Sequence, residues 1–163
     1  MVNLRLARAA DHPAIAEINT LAFGQPDEAR LVERLRTDGD VLLEMVAEAD
    51  GAVTGHILFS RLWADNGHLY AALAPMAVRP ELQRSGIGSD LVRSGLGMAR
   101  EFGALGVLVL GHRDYYPRFG FSADLATAVR SPYSGTRSFM ALGFEPDAFD
   151  IPFAVAYPNA FGG

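Results

Sequence analysis

The chain has 163 residues, half of them hydrophobic and a fifth charged, with a formal charge of -5. That suits a single domain over 1–163 with a core of its own, and the acidic balance, with no arginine cluster, speaks against nucleic acid as a partner. Cysteine is absent, which excludes disulfides, cysteine-ligated zinc and a thiol nucleophile.

Met1 to Leu6 lacks the long apolar core of a signal peptide. No apolar run approaches the roughly 20 residues needed to cross a bilayer, so the expectation is a cytoplasmic protein with no membrane partner. Val2 to Leu6 alternates apolar and polar residues and predicts a short strand. Asp11 is placed to cap the next helix, with Pro13 in its first turn, where a missing N–H does no harm. Ile15, Ile18 and Leu21 or Ala22 share one face of that helix. Gly24, Gln25 and Pro26 break the chain, and Glu28 to Arg36 predicts a second helix with Leu31, Val32 and Leu35 inward.

After the turn at Asp38-Gly39-Asp40, Val41 to Ala49 and Val53 to Leu62 flank Asp50-Gly51, a hairpin signal. Asp65-Asn66-Gly67 reverses the chain again into Leu69 to Val78, giving three consecutive antiparallel strands. Pro75 lies inside the third. A proline cannot donate to a ladder, so the strand must carry a bulge there, bending away from a neighbour and leaving backbone groups unpaired.

Met76 to Val92 organises the chain. The strand ends at Val78, a polar turn follows, and Gly86 and Gly88 lead into a helix over Gly88 to Phe102 whose stripe is Ile87, Leu91, Gly95 or Ser94, Met98 and Phe102. Glycines at such a corner admit a bulky ligand, and first-turn N–H groups carry partial positive charge, so the corner suits phosphate or pyrophosphate. An isolated Gly-x-Gly is also an ordinary tight turn. A Walker loop needs lysine, which the chain lacks, and a dinucleotide fingerprint would want glycine where Leu91 stands. Leu105 to Leu110 is a short apolar run of the kind buried on both faces; strand, helix, strand is a parallel crossover with the glycine corner at the carboxyl edge of the sheet. Tyr115 to Arg118 reads as one helical turn, Leu125 to Arg130 and Arg137 to Leu142 as strands joined through Ser131 to Gly135, and Phe153 to Tyr157 as a last strand.

Gln83-Arg84-Ser85-Gly86-Ile87-Gly88 resembles the pyrophosphate loop of the GNAT superfamily of acetyl-CoA-dependent N-acetyltransferases. Gly111 to Phe121 is similar to that family's Tyr-x-x-x-Gly-Phe segment, in the form seen in a bacterial subgroup described as YhbS-like. The resemblance implies an α/β fold: one GNAT-type domain with a mixed central sheet of about seven strands, a splayed pair and flanking helices. It implies acetyl-CoA as co-substrate, without a metal, and transfer of acetyl directly to a primary amine on a small molecule or peptide. It further implies cofactor contacts from Met76, Ala77 and Val78 on the splayed strand and from Gln83, Arg84, Ser85, Gly86, Ile87, Gly88 and Ser89 in the loop. A family tyrosine protonates the departing thiolate. Tyr116 aligns with it, four positions ahead of Gly120, and Tyr115 is its rival.

Family members often carry a carboxylate base on the bulged strand, yet Tyr70 to Val78 holds no Asp or Glu. The expectation is a water chain ending on Glu28, Glu44 or His112, with His56 and His68 structural or solvated. The acceptor pocket is expected from the first two helices, with Phe23, Glu28 and Leu31, and from the loop near Tyr133. A non-catalytic acyl-CoA sensor is the alternative function. The chain is expected to be a monomer, or a homodimer paired through Ile151 to Phe161.

Overall fold

The computed structural model describes residues 2–162. Strand β1 (Val2–Leu6) precedes helices α1 (His12–Phe23) and α2 (Asp27–Asp38), followed by β2 (Val41–Ala49), β3 (Ala52–Ala64) and β4 (Leu69–Val78). Helix α3 (Ile87–Glu101), β5 (Gly106–Leu110), a short α4 (Ala123–Ala126), and β6 (Val129–Arg130), β7 (Phe139–Gly143) and β8 (Phe153–Ala156) complete it.

The sheet runs β1-β2-β3-β4-β5-β7, with β8 paired to β3 and β6 to β8. Eight strands form, in keeping with the expected mixed sheet of about seven, though the carboxyl-terminal ones are shorter than expected. Residues 125–130 do not form one strand. Ser122 Oγ accepts from the N–H groups of Asp124 and Leu125 and starts the helical turn Ala123–Ala126, so only Val129 and Arg130 extend. Residues 137 and 138 likewise stay outside β7. The β2–β3 reversal matches expectation: Asp50 and Gly51 both have positive φ, 52° and 78°, the conformation of a tight hairpin whose twist suits its strands.

Asp11 does not cap α1 through its side chain. Its carboxylate instead accepts from both terminal nitrogens of Arg5, at 2.7 and 2.9 Å, and from the N–H of Arg8 at 2.7 Å. The Arg5 hydrogen bond, against the cost of burial, and the Arg8 N–H together hold that carboxyl down at about 2. The ion pair ties β1 to the start of α1.

Helix α3 packs on one face of the sheet through Ile87, Leu91, Val92, Gly95, Leu96 and Ala99; Phe102, expected in that stripe, is exposed. Gly95 is where helix and sheet meet most closely, since a Cβ there would lie 2.4 Å from Cε1 of Phe59. Helices α1 and α2 cover the other face with Ile15, Ile18, Val32 and Leu35 against Val46 and Leu58.

β4 bends as Pro75 requires. Phe59 pairs with Leu73 and Ile57 with Met76, so Ala74 and Pro75 together oppose Leu58. This two-against-one bulge switches the strand's alternation. Ala71 and Leu73 face α3 before it, whereas Met76 and Val78 do so after it.

Candidate functional site

β4 and β5 pair in parallel at Ala71/Val107 and Ala72/Leu108. Beyond that point β4 continues to Val78 and β5 to Leu110 without a shared ladder among the described residues. The strands open a wedge. Its β4 wall is Ala72, Leu73 and Ala74 and its β5 wall Leu108 and Leu110; Tyr133, Tyr157 and Phe161 roof a cavity of about 190 Å3 between them. Tyr133 and Tyr157 meet edge to face with centroids 4.8 Å apart, and Tyr157 meets Phe161 the same way at 5.3 Å. Burial, then proximity to Tyr133, pushes the Tyr157 hydroxyl's pKa upward.

The glycine corner stands at the end of β4. Arg84 and Gly86 take positive φ, 64° and 93°, and their side-chain positions are exposed. No side chain among the described residues caps α3, so its first N–H groups, at Ile87, Gly88 and Ser89, point outward without an intrahelical partner. Space around Gly86 is open, and a Cβ on Gly88 would sit 3.3 Å from the Met76 thioether and 3.5 Å from the Tyr115 hydroxyl. Gln83 Nε2 donates to the Val78 carbonyl at 3.1 Å and the Ser85 hydroxyl donates to Leu82; these side chains brace the loop and leave its backbone presented. Ile87 is buried in the core, and Ala77 and Val78 are buried too, their strand paired on its far edge with His56 and Gly55. The corner matches a diphosphate because it offers open backbone donors and no acidic side chain from Gln83 to Ser89.

The two tyrosines part company. The Tyr115 hydroxyl lies 3.1 Å from Ser89 Oγ, and its ring carries the Arg118 guanidinium at 4.6 Å, so it belongs to the glycine corner. Tyr116 is buried, its ring filling the space where a Gly111 side chain would stand and meeting Phe121 edge to face. Burial, then Tyr115, pushes its pKa up to about 12. Among the described residues the sealed side-chain atoms without a partner are Asn19 Oδ1 and Ser60 Oγ. The Tyr116 hydroxyl is not one of them, and no described hydrogen bond occupies it.

Of the expected bases, Glu44 is committed elsewhere. Arg36 donates to its two oxygens at 3.0 and 2.6 Å and His56 Nε2 lies 2.7 Å away. Burial alone would raise the Glu44 carboxyl; the hydrogen bonds from His56 and Arg36 overcome it and hold it at about 2. His56 is fully buried, with burial lowering its pKa against the pull of Glu44. Its Nδ1 lies 3.1 Å from the Asn19 amide nitrogen, so the Nε2–H tautomer satisfies both neighbours. Glu28, half-buried, is met by Gln25 at 3.3 Å, and Phe23 is exposed at the end of α1; neither lines the wedge cavity. His112 is exposed in a polar groove with Arg113, Asp114 and Arg137. Tyr133, expected near the acceptor pocket, lines the wedge cavity, and so do Tyr157 and Phe161, which were not expected there although the alternation Phe153, Val155, Tyr157 is a signal that this segment is structured.

Residues 12–121 match the acetyltransferase (GNAT) family model. The chain belongs to that family. The GNAT chain is 42% identical over 117 residues to YjhQ, an uncharacterized N-acetyltransferase of Escherichia coli K12, across 69% of this chain and 65% of YjhQ. It is similar in structure to the GNAT N-acetyltransferase YhbS of E. coli in complex with CoA, at TM-score 0.90 and 32% identity over 99% of this chain and 92% of YhbS. A GNAT acetyltransferase of Brucella melitensis in complex with acetyl-CoA gives TM-score 0.83 and 33% identity, covering 99% of this chain and 98% of that one. The fold thus agrees with the resemblance carried by the two motifs. Among the described residues no helix is long and apolar enough to cross a membrane.

Proposed function

We propose that this GNAT chain moves an acetyl group from acetyl-CoA directly to a primary amine, with Tyr116 as the acid. The observation that carries the reading is the wedge: two parallel strands part beside a bulge, at a helix terminus whose N–H groups are open. The backbone of Gln83 to Ser89 would take the diphosphate and the free edge of Met76, Ala77 and Val78 the pantetheine arm. Acetyl-CoA supplies the thioester, whose C–S bond is exchanged for a C–N bond while sulfur takes the electron pair and a proton. Tyr115, bound to Ser89, serves the diphosphate end; Tyr116, whose hydroxyl is unengaged, holds the proton. A phenol at about 12 stays protonated at neutral pH; because a thiol's ordinary value is about 8.5, handing its proton to the departing thiolate is uphill by roughly 5 kcal/mol and is coupled to return of a proton from the nitrogen of the new C–N bond.

The amine's proton has an easier exit than the missing strand carboxylate suggests. An ammonium entering a cavity walled by Ala, Leu, Tyr and Phe is desolvated, which lowers its pKa. A water chain toward His112 then suffices, whereas Glu44, held at about 2, is too weak a base. Tyr116→Phe tests the assignment by thiol release from acetyl-CoA. Turnover is expected to fall by about 10²-fold or more while the CoA-induced rise in Tm stays. Equal loss of both would reassign Tyr116 to binding, and a full CoA shift with no turnover on any amine would favour an acyl-CoA sensor.

A further inference from the structure

The cavity in the wedge is larger than the group to be transferred. Its roughly 190 Å3 exceeds what the three heavy atoms of an acetyl group fill. The remaining space is walled by hydrocarbon and roofed by an edge-to-face run of three rings, Tyr133, Tyr157 and Phe161. Among the described residues no charged side chain lines it. The adjoining groove beyond Leu110 carries Arg113 and Arg137, with the second already paired to Asp124 at 2.9 Å. A polycation would have to leave water for an apolar cavity whose lining carries no carboxylate to offset that cost, and the groove's Asp114 shares its place with two guanidiniums.

We propose that the acceptor is an arylalkylamine-type substrate: a primary amine joined through one or two methylenes to an aromatic or apolar group that packs against Tyr133, Tyr157 and Phe161. The methylenes occupy the space left beside the acetyl group, and the substrate's ring extends the edge-to-face run, an arrangement favoured beyond simple burial. This rests on the wedge reading above and deepens it by naming the acceptor class.

The test compares 2-phenylethylamine, methylamine and spermidine as acceptors with the full chain and acetyl-CoA, and measures by calorimetry the binding of each amine to the CoA-saturated protein. The expected result is a kcat/KM for 2-phenylethylamine at least about tenfold above the other two, with heat of binding from 2-phenylethylamine alone; loss of one good apolar contact is worth about that factor. Tyr133→Ala, on a half-buried loop, should raise its KM about tenfold with the CoA-induced Tm rise retained. Ala74→Leu, which fills the cavity from the β4 wall, should raise the KM of both 2-phenylethylamine and acetyl-CoA. Preference for spermidine overturns the assignment. So does a faster reaction with butyryl-CoA than with acetyl-CoA, which would make the extra space an acyl pocket. If CoA raises Tm but 2-phenylethylamine neither binds nor reacts, the acceptor class is wrong while the cofactor site stands; if CoA raises nothing, the transferase reading fails first.

Discussion

Replacing Glu44 by Gln should destabilise the protein by about 3 kcal/mol. The carboxylate has 9% of its side chain exposed and accepts from three charged or polar donors, two on Arg36 and one on His56. Gln keeps the volume but offers one acceptor oxygen, so at least one donor is turned toward its NH2 group. The folded chain holds the carboxyl at about 2 rather than 4.5, and at about 1.4 kcal/mol per tenfold this is a preference of about 3 kcal/mol for the ionised form. Loss of one partner from a buried pair falls in the same range, about 3–5 kcal/mol. In urea the midpoint should drop by on the order of 1–2 M with the slope unchanged. Glu145→Gln is the control, because its pair with Arg100 is 54% and 60% exposed and such pairs contribute about 0–1 kcal/mol. A loss at Glu44 no larger than at Glu145 would refute the reasoning, since the cluster would then be solvated rather than sealed.

Gly88→Val should weaken CoA binding about tenfold or more by filling the corner between Met76 and Tyr115, with the Tm of the free protein little changed; calorimetry reads both. Gly95→Ala drives a methyl into Phe59 and should cost about 1–3 kcal/mol, a Tm fall of roughly 2–4 °C for each kcal/mol, with the CoA shift preserved. Asp11 and Glu44 both have lowered folded pKa values of about 2, so the stability they contribute is complete above their ordinary values and is lost as pH falls through about 2; buried His56, whose pKa is lowered from 6.5, adds a loss that begins as pH falls through about 6.5, so thermal melts should decline gently below about 6.5 and more steeply below 4. An unchanged midpoint at pH 3 would contradict both ion pairs.

The parts of the fold written in short-range chemistry were legible in the sequence. Asp50-Gly51 set a hairpin, Pro75 forced a bulge, and the spacing of Ile87, Leu91 and Gly95 set a helix on the sheet. What escaped was set by contacts distant along the chain. The circuit of Arg36, Glu44, His56 and Asn19 joins four elements, and only the packing of α1 and α2 onto β2 and β3 shows that Glu44 is occupied. Register alone favoured Tyr116 over Tyr115 as the acid, whereas the direction of each ring depends on Ser89 and Phe121, more than two dozen residues apart. The strand expected over 125–130 failed because Ser122 offered its hydroxyl to two N–H groups, a local competition that outweighs the apolar pattern of so short a run.

The doubled residue opposite Leu58 also indicates how such a crevice can be erased without harming its scaffold. Because Leu73 and Met76 already face α3 from either side of the bulge, deletion of Pro75 alone restores strict alternation: every flanking side chain keeps its side and one residue answers Leu58. The shortened strand would run straight, free to zip to β5 past Ala72, and the two edges would then close the wedge between them.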